Sequence, residues 1–293
     1  MILVVGSSGY IGRFIEQHLK DDDKEVLGTY FKNEIKDATF FDLSDKEISL
    51  FDKFPSIKTV IITAATNSNL NSTINKLEES YQTNLKGVKR LIDKCFEKEV
   101  FPIYLSSDAV FSGDKGDYLE EDIKNPINEY GKIKSRVENY LQSFGKPYLI
   151  IRFGRVFDTK LEHNTILTKL LKDIHAGGRM LCATDQIFTP LHINDLSNFI
   201  KLSLREGYTG IFHLASIKKI SRYEMAITIR DFFGFNKTEI IPGSIDDIQL
   251  PDKRPKDLSL NITKMKNKTH FKERVLKNYL QEIFEKVNKN YSK

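Results

Sequence analysis

Two apolar patterns alternate along the chain. Residues 1–5, Met-Ile-Leu-Val-Val, form an unbroken apolar run ending at a glycine, which is how a strand buried on both faces reads. Ile11, Phe14, Ile15, His18 and Leu19 then recur at helical spacing. The same alternation predicts further strands at 26–30, 40–43, 59–65, 101–107 and 147–157. Residues 66–73 are polar and read as a loop. Helical spacing runs through Leu77, Tyr81, Leu85, Val88, Leu91, Ile92 and Cys95. It returns over 128–144, with Ile133, Val137, Tyr140, Leu141 and Phe144 on the apolar side. Strand and helix in alternation predict an α/β fold built on a doubly wound parallel sheet with right-handed crossovers.

After Asp158 the pattern is less regular. Helices are expected at 164–176, 194–204, 221–233 and 272–288, and strands at 210–215 and 239–245. The reading that follows is a nucleotide-binding domain of Rossmann type over 1–158 and a smaller C-terminal substrate-binding region over 159–293. Part of the latter, about 190–215, is expected to return to the first domain.

Composition narrows the class. The chain has 293 residues, 40% hydrophobic and 29% charged, which is enough to bury a full core. A net charge of +5 is mild, and Lys and Arg are spread along the chain, so no nucleic-acid partner is implied. That charge suits an anionic small ligand such as a nucleotide. Cys95 and Cys182 read as small core hydrophobes, with no disulfide framework and no metal-ligand spacing. Neither a signal peptide nor a membrane span is apparent, so a cytoplasmic place and no membrane partner are expected.

The first candidate chemistry is Gly6-Ser7-Ser8-Gly9-Tyr10-Ile11-Gly12, between the first strand and the first helix. Glycines there let the backbone approach a pyrophosphate, and the helix start supplies N–H groups and positive dipole. The spacing is Gly-x-x-Gly-x-x-Gly. His18, on the same helix, reads as structural. The second strand ends in Tyr30, Phe31 and Lys32, with no carboxylate to take a ribose 2′-hydroxyl. Lys32 would attract a 2′-phosphate, so NADP is the preferred cofactor, with NAD as the second choice. Asp42 would either accept from the adenine amino group or cap the next turn. Asn84 would either bond across to the catalytic segment or face water.

The second candidate is Ser106-Ser107-Asp108 followed by Tyr130 and Lys134. Tyr130 and Lys134 are four apart at the start of a helix and share a face. A lysine beside a phenol lowers the phenol's pKa and makes it a usable proton donor. Ser107 would hold a carbonyl oxygen between itself and Tyr130. A lone Tyr-x-x-x-Lys is a weak signal in a chain rich in both residues; its place after a strand and on a helix gives it weight.

Together these motifs resemble the extended short-chain dehydrogenase/reductase superfamily, and more narrowly the dTDP-4-dehydrorhamnose reductase family of sugar-nucleotide reductases. The resemblance runs from Gly6–Gly12 through Ser106-Ser107-Asp108-Ala109-Val110-Phe111, Gly113, Gly116, Asn125-Pro126, Asn128, Tyr130-Gly131-Lys132 and Lys134. It continues through Asp185-Gln186, Pro190, Asp195-Leu196, Gly210–Ala215 and Arg254-Pro255. It implies hydride transfer from NADPH to a keto carbon of a nucleotide-linked 6-deoxysugar, within surface-polysaccharide sugar synthesis. Tyr130 would protonate the oxygen, Lys134 would bond the nicotinamide ribose, and Ser107 takes the place of the family's catalytic Thr or Ser. The implied cofactor set is Gly6, Ser8, Gly9, Tyr10, Ile11, Gly12, Tyr30, Lys32, Asp42, Leu43, Ala64, Ala65, Thr66, Asn84 and Phe153, with Tyr130 and Lys134. The implied substrate set is Ser107, Asp108, Ala109, Arg155, Gln186 and Arg254. A nucleotide-sugar is the expected partner, and a homodimer is compatible with it.

Two departures stand out. Ala109 replaces a common Tyr, and Arg155 replaces a common Trp; in the family both aromatics lie by the sugar. An Asp-Glu pair, which a dehydratase would show, is absent at Asp108-Ala109. An NAD-retaining 4-epimerase shares the Tyr-Lys pair, though Lys32 argues against retained NAD. The regulatory subunit of methionine adenosyltransferase resembles the same family and acts by binding a partner enzyme; the presence of Ser107, Tyr130 and Lys134 favours an enzyme.

Overall fold

The computed structural model describes residues 1–64 and 70–291. Its centre is a seven-stranded sheet. The strands are β1 (Ile2–Val5), β2 (Val26–Tyr30), β3 (Ala38–Phe40), β4 (Thr59–Ile62), β5 (Phe101–Leu105), β6 (Leu149–Phe153) and the later strand Gly210–Leu214. All neighbouring pairs are parallel. The order runs from Gly210–Leu214 through β6, β5, β4, β1 and β2 to β3, so the order reverses beside β1. In such a sheet ligands bind beyond the carboxyl ends of the strands, at that reversal.

The apolar runs alternate between the two faces, as a period of two requires. Leu3, Val5, Val60, Ile62 and Ile150 join one core cluster, while Val4, Ile61, Leu149 and Ile151 join the other. The helix Tyr10–Lys20 covers the second face and Val88–Glu97 the first. A third cluster, from Phe157 to Ile283, lies in the C-terminal part and packs the helices Ile166–Ala176, Arg222–Phe233 and Leu276–Tyr291 together.

Several expectations are corrected. The third strand is Ala38–Phe40 rather than 40–43, because Phe41 turns into the core and Asp42 caps the next turn by accepting from the Ser44 backbone N–H and hydroxyl at 2.7 Å. The expected polar loop at 66–73 holds the start of a helix, Leu70–Asn75. The long helix through 77–95 is broken: Leu77–Ser80 leads into a π-helical turn, Tyr81–Gly87, and only then into Val88–Glu97. Gly87 sits so close to the preceding segment that a Cβ there would lie 2.1 Å from the Leu43 carbonyl oxygen. The sixth strand ends at Phe153, and after Gly154-Arg155 the chain makes a separate short strand, Val156–Phe157, paired with Leu191–His192. The strand Gly178–Ala183 and the helix Thr263–Thr269 had no periodic signal. The last helix begins at Leu276.

Candidate active site

The first helix starts directly on the glycine turn. Gly6 has φ +97°, a conformation that disfavours other residues, and a Cβ there would lie 2.8 Å from Ala64 Cα. A Cβ at Gly12 would lie 2.3 Å from the Gly6 carbonyl oxygen. The turn is further fixed by the Gly6 N–H, which donates to Thr29 Oγ1 at 3.0 Å. Gly12→Ala is therefore expected to force the turn apart, with a stability loss of about 1–3 kcal/mol and weaker dinucleotide binding. Thermal denaturation and cofactor titration measure both.

A groove of about 370 Å³ opens over this turn, walled by Gly6, Ser8, Gly9, Tyr10, Ile11 and Gly12 and by Tyr30, Asp42, Leu43 and Ala64. Thr29, Phe41, Thr63 and Thr83 also line it, and nothing in the local pattern marks them beyond their elements. Lys32 stands off the groove, exposed, 3.8 Å from the Glu79 carboxylate. Asn84 is buried in the π-helical turn rather than facing water, and it does not line the groove. Ala65 and Thr66 lie outside the described residues. Side chains at Gly6 and Gly12 would press on Ala64, the Gly6 carbonyl and Thr63, so the glycines hold closed the turn that walls this cradle, whose helix start can receive a dinucleotide.

A larger cavity of about 890 Å³ adjoins the groove, and Tyr10 and Ile11 wall both. Ser107, Asp108, Ala109, Tyr130, Phe153, Arg155, Gln186 and Arg254 all face this cavity. Phe153 thus belongs to the larger cavity rather than to the groove. Tyr10 also ties the two parts of the chain together, since its hydroxyl donates to Asp158 Oδ2 at 2.8 Å and Asp158 in turn bonds His163.

Tyr130 and Lys134 sit in the first turns of the helix Glu129–Ser143, capped by Asn128, whose side-chain oxygen accepts from the Gly131 N–H at 2.8 Å. Gly131 lets that turn meet the Ser107 segment, because a Cβ there would lie 2.0 Å from the Ala109 carbonyl oxygen. Ser107 follows β5; its hydroxyl accepts from the Ala109 N–H at 3.2 Å and donates to Asp108 Oδ1 at 2.9 Å, and it lies near enough to the Tyr130 phenol to act against the rise in the phenol's pKa.

The expected depression of the Tyr130 pKa by Lys134 is not found. Burial, and then the Asp108 charge, push the phenol up to about 12, against the Ser107 bond and the Arg155 charge. Lys134 Nζ is 5.8 Å from the Tyr130 ring centre and donates to the Leu105 carbonyl at 2.7 Å. Burial lowers Lys134 to about 8, with the Glu138 charge opposing. Tyr130 is therefore a protonated donor throughout the neutral range.

Asp108 is pushed up to about 6 by burial, against the Ser107 bond and the Arg155 charge. The sign follows from proton uptake: a carboxyl whose folded pKa exceeds its unfolded value, about 3.9, favours folding when protonated and loses that advantage as pH rises through 6. Asp108→Asn is expected to stabilise the fold by about 1–3 kcal/mol above pH 7 and to have little effect below pH 4. Denaturation at the two pH values checks this.

Beneath the site lies a buried ion pair. Glu138, one turn beyond Lys134, accepts from Ser106 Oγ at 2.5 Å and from Arg152 Nε and Nη2 at 3.0 and 2.8 Å, and Lys124 Nζ lies 3.1 Å away. Burial would raise the Glu138 pKa, but the Arg152 bonds and charge hold it below the usual range. Arg152 Nη1 also donates to the Glu120 carbonyl at 3.0 Å and meets His213 Nε2 at 3.2 Å. Burial, then the Arg152 charge, lower His213 to about 3, so the ring is neutral. Its Nε2 then accepts from Arg152 and its Nδ1–H donates to the Tyr118 carbonyl at 3.0 Å. The network fixes Ser106, and with it Ser107, to the helix that carries Tyr130 and Lys134.

Elsewhere His18 bonds Asn198 at 2.8 Å between two helices, and both cysteines are buried and unpaired. Among the described residues no group of His, Cys, Asp and Glu is arranged to hold a metal, and no helix is long and apolar enough to cross a membrane.

A parallel sheet with a glycine turn at its order reversal, and Ser, Tyr and Lys brought together at the next carboxyl ends, is the arrangement of the extended short-chain dehydrogenase/reductases. Comparison with known proteins narrows this class. The chain belongs to the family described as the RmlD substrate binding domain, whose sequence model matches residues 1–289. It is 28% identical over 280 residues to dTDP-4-dehydrorhamnose reductase of Aggregatibacter actinomycetemcomitans, covering 90% of this chain and 91% of that one. It is 24% identical over 274 residues to methionine adenosyltransferase 2 subunit beta of Pongo abelii, covering 90% and 81%. Its fold matches dTDP-4-dehydrorhamnose reductase of Bacillus anthracis, solved in complex with NADP, with a TM-score of 0.82 at 19% identity over 97% of this chain and 98% of that one.

Proposed function

We propose that this chain is a sugar-nucleotide oxidoreductase, an NADPH-dependent reductase of a nucleotide-activated 4-keto-6-deoxysugar that serves surface-polysaccharide synthesis. The observation that carries the reading is that Ser107 and Tyr130 share a wall of the larger cavity, with Lys134 Nζ 5.8 Å from the Tyr130 ring centre. Residues 1–158 hold the dinucleotide and 159–293 close over the sugar nucleotide. The groove residues over the glycine turn hold the cofactor, which when bound supplies the hydride. Ser107 orients the keto oxygen, and Tyr130 gives its phenolic proton to that oxygen as the alkoxide forms. Lys134, held by the Leu105 carbonyl, places a positive charge behind the phenol. Gln186 and Arg254 take the nucleotide end.

Preference for NADPH rests on β2 ending without a carboxylate and on Lys32. The Lys32–Glu79 pair is exposed, and such pairs are worth under about 1 kcal/mol, so Lys32 can leave it for a 2′-phosphate. The test follows NADPH and NADH oxidation with dTDP-linked and UDP-linked 4-keto-6-deoxysugars. Turnover that is faster with NADPH supports the reading. Cofactor binding with no turnover on any sugar contradicts it and points to a binding subunit, the alternative that the similarity to the adenosyltransferase subunit raises. Copurified NAD and sugar epimerisation would point to an epimerase.

A further inference from the structure

The break after β6 places Arg155 in the large cavity with Ser107, Asp108 and Tyr130. Gly154 lets the Asp108 carboxylate pack against the break, since a Cβ there would lie 2.6 Å from Asp108 Oδ2. Arg155 is accessible within the cavity and, among the described residues, neither it nor Arg222 forms an ion pair. Arg222 opens the helix Arg222–Phe233 and faces the same cavity, as does Arg254. The Arg222 charge acts on Arg155, though less than the opposing Asp108 charge does, and the Arg155 charge acts on Arg254. Lys169, ion-paired with Asp173, and the Glu162 carboxylate also stand on the walls.

A nucleoside diphosphate brings two negative charges, enough to occupy Arg222 and Arg254. Arg155 is the one of the three whose charge is felt by Asp108 and Tyr130, at the reacting end. Asp108 answers it only partly, being already bonded to Ser107 and buried. With a neutral sugar, Arg155 would be answered at the reacting end only by Asp108, whose carboxylate is already bonded to Ser107, with the Arg222 charge acting against it. Ala109, small and on the same wall, leaves room for a substituent there.

We infer that the sugar of the substrate carries an anionic substituent, a carboxylate or its equivalent, received by Arg155. This deepens the reductase reading and rests on it. A planar guanidinium takes a carboxylate through two parallel bonds, which gives direction as well as charge.

The test uses stable nucleotide sugars that cannot turn over, on the full chain saturated with NADP. Matched pairs differ in a carboxylate carried on a ring oxygen rather than at C6, which is a methyl in a 6-deoxysugar: UDP-N-acetylglucosamine with UDP-N-acetylmuramate, and dTDP-N-acetylglucosamine with dTDP-N-acetylmuramate. Calorimetry is expected to show at least one carboxylate member binding ten times or more tighter than its neutral partner. Arg155→Met should abolish that preference, and Arg155→Lys should keep part of it. Equal or better binding of every neutral member overturns the inference, and so does a preference that survives Arg155→Met. Equal weakening of both members by Arg155→Met would place Arg155 on the diphosphate and likewise overturn it. Failure of every nucleotide sugar to bind would instead overturn the reductase reading itself.

Discussion

Tyr130→Phe is expected to lower kcat by about 10²–10⁴-fold while leaving the fold and the affinity for NADP(H) close to those of the parent. The change removes one hydroxyl from a ring that stays packed in the same place. What it removes is the proton donor, held protonated by burial with a pKa near 12. The loss should therefore fall on kcat and appear equally at pH 6 and pH 8, because the phenol is protonated at both. Steady-state rates, with denaturation and NADPH titration as controls, check the outcome. A loss confined to KM would mean that Tyr130 only binds the sugar. Ser107→Ala should cost less, since Ser107 orients the oxygen but gives no net proton to it.

Glu138→Leu is expected to destabilise the protein by about 3–5 kcal/mol, the largest single-residue effect on stability anticipated here. Glu138 is wholly buried and takes both Arg152 bonds, so its loss strands a buried guanidinium. It also frees the Ser106 hydroxyl and leaves Lys124 without its carboxylate. The double variant Glu138→Leu with Arg152→Met should recover much of the loss, since the stranded charge is then gone as well. Denaturant titrations of the parent, both single variants and the double close the cycle. In the parent, the folded Glu138 pKa lies below its unfolded value, so this contribution is present above about pH 4.3 and fades as pH falls through the folded value.

What could be read from the sequence was what local pattern controls. The apolar runs of β1 and β4 and the glycine turn mark themselves within a few residues, and the apolar side of the helix expected over 128–144 placed Tyr130 and Lys134. The position of Arg155 could not be read that way. Its strand ends because Val156–Phe157 pairs with Leu191–His192, some thirty-five residues on, and because Gly154 makes way for Asp108. Arg222 follows a helix cap, where a charged residue is ordinary, and only the fold turns it toward Arg155. Spacing brings Lys134 near Tyr130 but does not say that its ammonium would bond the Leu105 carbonyl. The Asp108 and Tyr130 shifts depend on burial, which a linear pattern does not report. The π-helical turn at Tyr81–Gly87 arises where the chain must pass close to Leu43, a contact between distant segments.

The most direct test of the account is deuterium transfer. The protein is incubated with NADPH deuterated at the nicotinamide C4 and a panel of neutral and anionic nucleotide-linked 4-keto-6-deoxysugars, and the products are read by mass spectrometry and NMR. Deuterium is expected at C4 of at least one sugar, and none with Tyr130→Phe over the same period. Protein that binds NADPH yet labels no sugar in the panel would contradict it.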